Sequence, residues 1–327
     1  MVTGNALRIV FFGTPQFAVP SFDALSHSRH GVVAVVTRAD RPRGRGQKVT
    51  DAPIKARASN AGIPILQPER LGDPSFLDQL RARHADLGVV VAYGKILTNA
   101  VLATPRLGLV NVHGSLLPQY RGAAPVHRAV VAGETETGVT IMRVVKALDA
   151  GPMLARASRS IGPDDTSDDV ERDLAARGAA LLVETVDAIA DGRAHEEPQD
   201  DAAATYAARL TKDDGIVDWA SSAARIHNQI RGLRPWPHAF TFHGGRRLIL
   251  LRSSIAEREA LAERPRSPEG SRSGTILEAT GDRLIVATGD GALRLTEIQS
   301  EGKRPTAARD FLAGHRVAAG DRLSAAP

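Results

Sequence analysis

No cysteine occurs in the 327 residues of this sequence. Disulfides, cysteine nucleophiles, iron–sulfur clusters and cysteine-ligated zinc are therefore all excluded. Long hydrophobic runs are also missing, since no window approaches the roughly 18 consecutive apolar residues of a membrane-spanning helix. The N-terminal residues lack the cationic start, apolar run and small-residue end of a secretory signal peptide. We therefore expect a cytoplasmic protein with no membrane attachment.

Several common catalytic motifs are missing as well. The sequence has no P-loop and no G-x-S-x-G, so Ser115 is not in a nucleophile elbow. No H-E-x-x-H occurs and the ten histidines are scattered, so we expect no metal site. Gly13 follows the first apolar run without the further glycines of a dinucleotide-binding turn. An acyl transfer on this chain would therefore be direct, without a covalent enzyme intermediate.

Positive charge is concentrated in two parts of the chain. The net charge is +5, which favours a polyanionic partner only weakly. Residues 38–48 contain five basic side chains and one acidic side chain, and residues 212–327 contain 18 basic and 14 acidic side chains. The remaining residues are slightly acidic in sum. A short loop and a C-terminal segment therefore carry the whole positive excess.

Short apolar runs in the first half of the chain alternate with segments of helical periodicity. Four of them predict strands that are buried on both faces. These runs are residues 7–12, 32–37, 87–92 and 107–112. A further strand pair is expected at 140–145 and 153–161, followed by a helix at 167–190. The pattern is typical of an open α/β fold with a mostly parallel sheet, which binds ligands at the carboxyl ends of its strands.

The second half of the chain has a different composition. Residues 195–204 are polar, acidic and aperiodic, which favours a linker. Beyond them, one predicted helix at 223–232 precedes five closely spaced strand-like segments, which favour a small antiparallel barrel or sandwich. We therefore predict three parts, namely a catalytic domain at 1–193, a linker at 194–209 and a C-terminal domain at 210–327.

The segment with the most chemistry is residues 111–125, NVHGSLLPQYRGAAP. Asn111 and His113 are separated by one residue at the end of a predicted buried strand, so their side chains emerge on the same side. Together they could donate hydrogen bonds to the negative charge that develops on an acyl oxygen. The alternative is structural, with Asn111 capping the turn and His113 a hydrogen-bonded core residue.

Eight segments of the sequence match one known family in their order and spacing. They are FFGTPQFAVP, DRPRGRGQK, VVVAYGKIL, NVHGSLLPQYRGAAPVHRAVVAGETETGVTIM, LDAGPML, TYAARLTKDDGIVDW, LRPWP and ATGDGALRL. They resemble the methionyl-tRNA formyltransferase family. HGSLLP with a downstream LDAG is shared by folate-dependent formyltransferases in general, whereas the basic loop and the C-terminal segment indicate the tRNA-acting branch. The resemblance implies a Rossmann-like formyltransferase domain with a mostly parallel sheet, followed by a smaller OB-like β-barrel.

The resemblance implies transfer of a formyl group from 10-formyltetrahydrofolate to the amino group of methionyl initiator tRNA. The family's catalytic residues fall on Asn111, His113 and Asp149. Asn111 and His113 would stabilise the oxyanion, and Asp149 would orient the imidazole, favour its protonated form or relay a proton through water. Without the resemblance, Asp149 would be interpreted as a turn residue before Gly151.

The resemblance also implies residues that bind the two substrates. Folate contacts fall on Ser115, Leu116, Leu117 and Pro118. Backbone contacts to the pterin are expected from Val91, Ala92, Tyr93 and Gly94. Contacts with tRNA fall on Arg41, Arg43, Arg45 and Lys48. Further tRNA candidates in the C-terminal part are Lys212, Arg231, Arg234, Arg246, Arg247, Lys303 and Arg304.

A second interpretation is a folate-dependent formyltransferase that acts on a small amine, such as an amino-sugar nucleotide. Asn111, His113 and Asp149 would serve both reactions equally. The arginine-rich loop distinguishes the two, because its guanidinium groups suit phosphates and a small substrate does not need them. We expect a monomeric enzyme that uses no metal.

Overall fold

The structure is a computed structural model that describes residues 5–40, 42–43, 48–49, 51–256 and 273–327. The chain divides into two compact units, each built from three stretches of sequence. The first unit contains Met1–Pro125, Glu136–Arg159 and Glu171–Ala207. The second unit contains Val126–Thr135, Ser160–Val170 and Ala208–Pro327. The predicted boundaries at 1–193, 194–209 and 210–327 remain a prediction.

The first unit is built on a seven-stranded sheet with two small two-stranded ladders. Its strands are β1 Arg8–Gly13, β2 Gly31–Val36, β3 Pro42–Arg43, β4 Lys48–Val49, β5 Ile65–Leu66, β6 Leu87–Val91, β7 Leu109–His113, β8 Arg121–Gly122, β9 Glu136–Arg143, β10 Met153–Ser160 and β11 Tyr206–Ala207. The large sheet has the order β10-β9-β7-β6-β1-β2-β5. The pairs β1–β2, β1–β6, β2–β5 and β6–β7 are parallel, and β7–β9 is antiparallel. The predicted mostly parallel sheet is confirmed, with strand ends shifted by at most two residues except at the start of β9, which begins four residues earlier than predicted.

Most of the helices begin where the sequence offers a proline or a capping side chain, and α8 is an exception. They are α1 Val19–Ser26, α2 Pro53–Asn60, α3 Pro74–Arg81, α4 Asn99–Leu102, α5 Pro125–Ala132, α6 Ser167–Ala190, α7 Ala223–Gly232 and α8 Ala308–Gly314. Asp73 and Ser222 accept backbone N–H bonds at the starts of α3 and α7, which satisfies donors that the helix itself leaves unpaired. The predicted helices at 167–190 and 223–232 are confirmed. None of the helices in the described ranges is long and apolar enough to span a membrane.

Helices cover both faces of the large sheet, which explains the continuous apolar runs in its strands. On one face Phe11 belongs to the same apolar cluster as Leu182 and Val186 of α6. On the other face its neighbour Phe12 packs with Leu80 of α3 and Tyr93. Because successive strand residues point to opposite faces, a strand covered on both sides must be apolar at every position. The carboxyl ends of β1, β6 and β7 meet at one edge of this sheet.

The second unit is an antiparallel sheet with its own apolar core. Its strands are β12 Ala239–His243, β13 Arg246–Ile255, β14 Ile276–Thr280, β15 Arg283–Ala287, β16 Ala292–Ser300 and β17 Thr306–Ala307. The order is β12-β13-β16-β15-β14, and β17 pairs with β16. Trp219, Ile226 of α7 and Phe311 of α8 fill the core. This confirms the predicted antiparallel domain, of which residues 257–272 lie outside the described part of the chain. Isolated antiparallel bridges pair Ser324 with Phe242 of β12 and Arg322 with Thr275, the residue before β14, so residues 322–324 connect the two edge strands.

Candidate active site

The predicted pair Asn111 and His113 lies at the carboxyl end of β7, in the interior of the large sheet. Asn111 is in register with Val90 of β6 and with Met142 of β9, so strands flank it on both sides. Its half-buried amide has no hydrogen-bond partner in the described part of the chain. Two residues along the same strand, His113 emerges on the same side of the sheet. The structure therefore leaves the Asn111 amide available as a donor beside the histidine.

His113 is buried and held in one orientation. Its side chain is 5% exposed, and Nε2 lies 3.0 Å from the carbonyl oxygen of Tyr120. Because a carbonyl oxygen only accepts, Nε2 carries a proton in this contact. The other ring nitrogen, Nδ1, lies 3.8 Å from Oδ2 of Asp149. The two atoms are beyond hydrogen-bond distance, so Nδ1 offers a lone pair in neutral His113 and an N–H in protonated His113 without being hydrogen-bonded to Asp149.

Asp149 lies in the loop between β9 and β10 and adopts a left-handed backbone conformation, with φ of 48°. Side chains other than those of Gly, Asn and Asp rarely occupy this region. Its carboxylate Oδ2 accepts a hydrogen bond of 2.8 Å from the backbone N–H of Gly122. Gly151 follows, where a Cβ atom would overlap the carbonyl oxygen of Arg143. The structure therefore brings His113 and Asp149 together and explains the glycine of LDAG.

The loop after β7 is tied together by its own polar groups. Ser115 Oγ donates to the carbonyl oxygen of Gln119 at 2.6 Å, and Thr140 Oγ1 donates to the carbonyl oxygen of Ser115 at 2.7 Å. The N–H of Leu117 donates back to Thr140 Oγ1 at 3.1 Å. The Leu117 side chain is 1% exposed, whereas Leu116 and Pro118 are half-buried. Two of the four predicted folate residues, Ser115 and Leu117, therefore use their side chains inside the protein.

The predicted pterin segment follows β6 at the same edge of the sheet. Ala92 and Gly94 are exposed and have positive φ angles of 48° and 78°. Between them, Tyr93 is 1% exposed and packs edge-on against the ring of Phe12 at 5.6 Å between centroids. Burial raises the pKa of Tyr93 to about 12. The backbone at 92 and 94 therefore faces outwards, while Tyr93 belongs to the core.

A cavity of about 420 Å³ lies beside this segment and was not predicted from the sequence. It is lined by Arg38, Ala39, Asp40, Glu69, Arg70 and Lys95. Lys95 donates to the carbonyl oxygens of Pro68 and Glu69, both at 2.9 Å. The ammonium of Lys55 beside Asp40 lowers the pKa of that carboxyl group. The guanidinium groups of Arg38 and Arg70 have no hydrogen-bond partner among the described residues, so the cavity is suited to an anion.

Only part of the predicted tRNA loop falls within the described residues. Strands β3 and β4 pair in an antiparallel ladder in which Arg43 is opposite Lys48. Arg41 and Arg45 lie outside the described residues. In the second unit, Lys212, Arg246, Lys303 and Arg304 are exposed, whereas Arg234 and Arg247 are half-buried.

One of the further tRNA candidates is wrong. Arg231 is 6% exposed, and its Nη1 donates to the carbonyl oxygens of Gly162 and Asp165 at 3.1 and 2.9 Å. Its guanidinium is therefore committed to the interior of the second unit. The sequence showed Arg231 only as part of a basic segment, and the spacing of charges does not reveal which of them point inwards.

The family of this chain follows from its similarity to known proteins. Residues 7–186 match the formyl transferase family, and residues 209–316 match the formyl transferase C-terminal domain. A methionyl-tRNA formyltransferase of Geobacter metallireducens is 43% identical over 317 residues, which are 97% of this chain and 98% of that protein. The chain belongs to the methionyl-tRNA formyltransferase family. A relative with the same name from Caldanaerobacter subterraneus is 44% identical over 97% of this chain and 100% of that protein.

Solved structures share the fold of this family member at much lower identity. One is the crystal structure of WlaRD, a sugar 3N-formyl transferase, in the presence of dTDP and 5-N-formyl-THF. It superposes with a TM-score of 0.65 and 19% identity, covering 92% of this chain and 100% of that chain. The superposition covers most of this chain and shows that the two proteins share a fold.

Proposed function

We propose that this chain transfers the formyl group of 10-formyltetrahydrofolate to the free amino group of methionyl initiator tRNA. The observation that carries the proposal is the arrangement at the end of β7, where an unpartnered Asn111 amide lies beside a buried His113 that faces Asp149. This arrangement occurs in a chain whose relatives at 43–44% identity are named methionyl-tRNA formyltransferase. We further propose that the enzyme acts as a monomer in the cytoplasm.

In the reaction, the amine attacks the formyl carbon and the carbonyl oxygen becomes negatively charged. The N–H of the Asn111 amide and the Nδ1–H of protonated His113 donate hydrogen bonds to that oxygen. Asp149 stabilises the imidazolium across the 3.8 Å gap. When the carbonyl re-forms, the bond between the formyl carbon and N10 of the folate breaks. The amine loses one proton and N10 gains one, so the overall transfer is balanced.

The fixed tautomer of His113 is what makes this geometry useful. The Nε2–H of His113 donates to the carbonyl oxygen of Tyr120, so a proton enters or leaves His113 only through Nδ1, the nitrogen that faces Asp149. One nitrogen can therefore both stabilise the oxyanion and take part in proton transfer. The sequence contains no cysteine, and the Ser115 hydroxyl donates a hydrogen bond to the carbonyl oxygen of Gln119. In this proposal the formyl group therefore passes directly to the amine.

The tRNA substrate is assigned to the basic elements of the chain. In this proposal Arg41, Arg43, Arg45 and Lys48 contact phosphates of the acceptor end. The exposed Lys212, Arg246, Lys303 and Arg304 supply further phosphate contacts in the second unit. Electrostatic contacts of this kind make affinity fall as the salt concentration rises.

A formylation assay with three acceptors tests the proposal. Methionyl initiator tRNA, methionyl elongator tRNA and an amino-sugar nucleotide are each incubated with the enzyme and 10-formyltetrahydrofolate. We expect formylation of methionyl initiator tRNA, with turnover that declines at high salt. Formylation of the sugar nucleotide alone would instead support the small-amine interpretation, and transfer to none of the acceptors would overturn both.

A further inference from the structure

Gln199 connects two loops of the candidate active site, although it lies in the segment that the sequence predicts as a linker. Its side-chain Nε2 donates to the carbonyl oxygens of Asp149 and Gly151, at 2.9 and 2.7 Å. Its Oε1 accepts two hydrogen bonds from the guanidinium of Arg121, at 3.0 and 2.8 Å. One half-buried amide therefore bridges the loop of Asp149 and the loop that follows His113.

The chemistry of these partners allows only one orientation of the Gln199 amide. Carbonyl oxygens accept hydrogen bonds and never donate, whereas a guanidinium donates and never accepts. The NH₂ group must therefore face Asp149 and Gly151, and the oxygen must face Arg121.

The Arg121 end of the bridge is a firm anchor. The Arg121 side chain is 4% exposed, so its charge requires partners, and Nη2 also donates to Asp201 at 2.7 Å. The backbone N–H of Arg121 donates to the carbonyl oxygen of Thr205 at 2.8 Å. In addition, β8 pairs in parallel with β11. The segment from Gln199 to β11 therefore holds Arg121 through both its side chain and its backbone.

The same short stretch around Arg121 also holds both catalytic candidates. The preceding residue, Tyr120, accepts the hydrogen bond from His113, and the following residue, Gly122, donates to the Asp149 carboxylate. Gln199 completes this arrangement, because it holds the carbonyl oxygen of Asp149 and that of Gly151 two residues later. The left-handed conformation of Asp149 is uncommon for residues other than Gly, and these hydrogen bonds help to hold it.

We propose that Gln199 is a positioning residue for formyl transfer, which holds Asp149 at its distance from His113. The inference rests on the proposed function of the site. Gln199 acts through Asp149, and among the described residues its side chain forms no hydrogen bond to those assigned to folate or tRNA. Its loss should therefore lower kcat and leave KM for both substrates nearly unchanged. A displacement of about 1 Å at a catalytic group costs up to roughly a hundredfold in rate.

Gln199→Glu is the sharpest variant, because it has the same shape and retains acceptors for Arg121. Its second oxygen would face the carbonyl oxygens of Asp149 and Gly151 and repel them. We expect kcat to fall about tenfold to a hundredfold, with KM within about threefold of wild type and an unchanged circular dichroism spectrum. Gln199→Met removes the donor without adding charge, and its kcat should fall by a similar factor. Gln79→Glu, an exposed position on α3 with the same change of charge, should behave as wild type.

A double-mutant cycle with Asp149→Asn separates positioning from a general loss of structure. If Gln199 acts through Asp149, then Gln199→Glu should lower kcat much less in the Asp149→Asn background than in wild type. Full additivity of the two losses would overturn the proposal, as would wild-type kcat in both Gln199 variants. Should Gln199→Glu fail to fold, the cycle is run with Gln199→Met. If the wild-type enzyme showed no formyl transfer, the proposed function itself would be refuted. If both Gln199 variants kept the kcat of an active wild-type enzyme, only the positioning role would be refuted.

Discussion

The carboxyl end of β7 and the basic surface of the second unit hold their polar side chains in opposite ways. At β7, His113, Ser115 and Asp149 each have a backbone partner that fixes their direction. In the second unit, Lys212 and Lys303 are exposed and free to move with solvent. Groups that stabilise a transition state must be oriented before the reaction, whereas groups that bind a phosphate backbone need only a positive charge and a side chain long enough to contact a phosphate. The comparison predicts losses of kcat at the first region and salt-dependent losses of binding at the second.

The largest effect is expected for Asn111→Ala. Removing one donor to a developing oxyanion should lower kcat by roughly a hundredfold to a thousandfold. KM for methionyl initiator tRNA should change little, because the amide contributes in the transition state. Steady-state formylation measures both constants. Asn60→Ala, at an exposed position at the end of α2, serves as the matched control; equal turnover in both variants would remove Asn111 from the mechanism.

A smaller effect, on tRNA binding and not on kcat, is expected for Arg45→Ala in the predicted tRNA loop. The loss of one phosphate contact should raise KM for tRNA by roughly tenfold and reduce the slope of log affinity against log salt by about one. Titration of tRNA binding at several salt concentrations measures this slope. Arg81→Ala, an exposed arginine on α3, is the control. An unchanged slope for Arg45→Ala would place the tRNA contact elsewhere.

The sequence predicts the regular elements better than the connections between them. Strands β1, β2, β6 and β7 are predictable because burial on both faces makes them continuously apolar. Strands β8 and β11 contain two residues each, and only their mutual pairing defines them. The proximity of His113 to Asp149 arises from the folding of two loops, so only the family resemblance indicated it. Gln199 lies in a polar, acidic segment whose composition is typical of a linker, and nothing in that pattern reveals its contacts.

Ser115→Ala tests whether a predicted folate residue belongs to the fixed region. Because the Ser115 hydroxyl donates a hydrogen bond to the carbonyl oxygen of Gln119, removing the hydroxyl should lower the free energy of unfolding by about 1 kcal/mol and Tm by roughly 2–4 °C. KM for the folate donor should remain within about twofold of wild type. Ser26→Ala, exposed at the end of α1, controls for the loss of a hydroxyl group. A large rise in donor KM at unchanged Tm would show instead that Ser115 binds the folate directly.

The smallest effect concerns pH and appears in both units. Burial lowers the pKa of His30 in the first unit and of His127 in the second, and the nearby carboxylates of Asp187 and Asp168 only partly oppose it. The folded protein therefore binds fewer protons than the unfolded chain just below the ordinary value of 6.5. The stability that the folded protein has with His30 and His127 neutral is complete above that pH and is lost as the pH falls below it.

Thermal unfolding should thus show a lower Tm at pH 5.5 than at pH 7.5, and His30→Gln combined with His127→Gln should reduce that difference. His84→Gln, at an exposed position with no assigned role, is the control and should leave the difference unchanged. Acid destabilisation of the same size in all three proteins would mean that carboxylates, and not these histidines, determine the response. In that case burial would not distinguish the titrating groups of the interior from those at the surface.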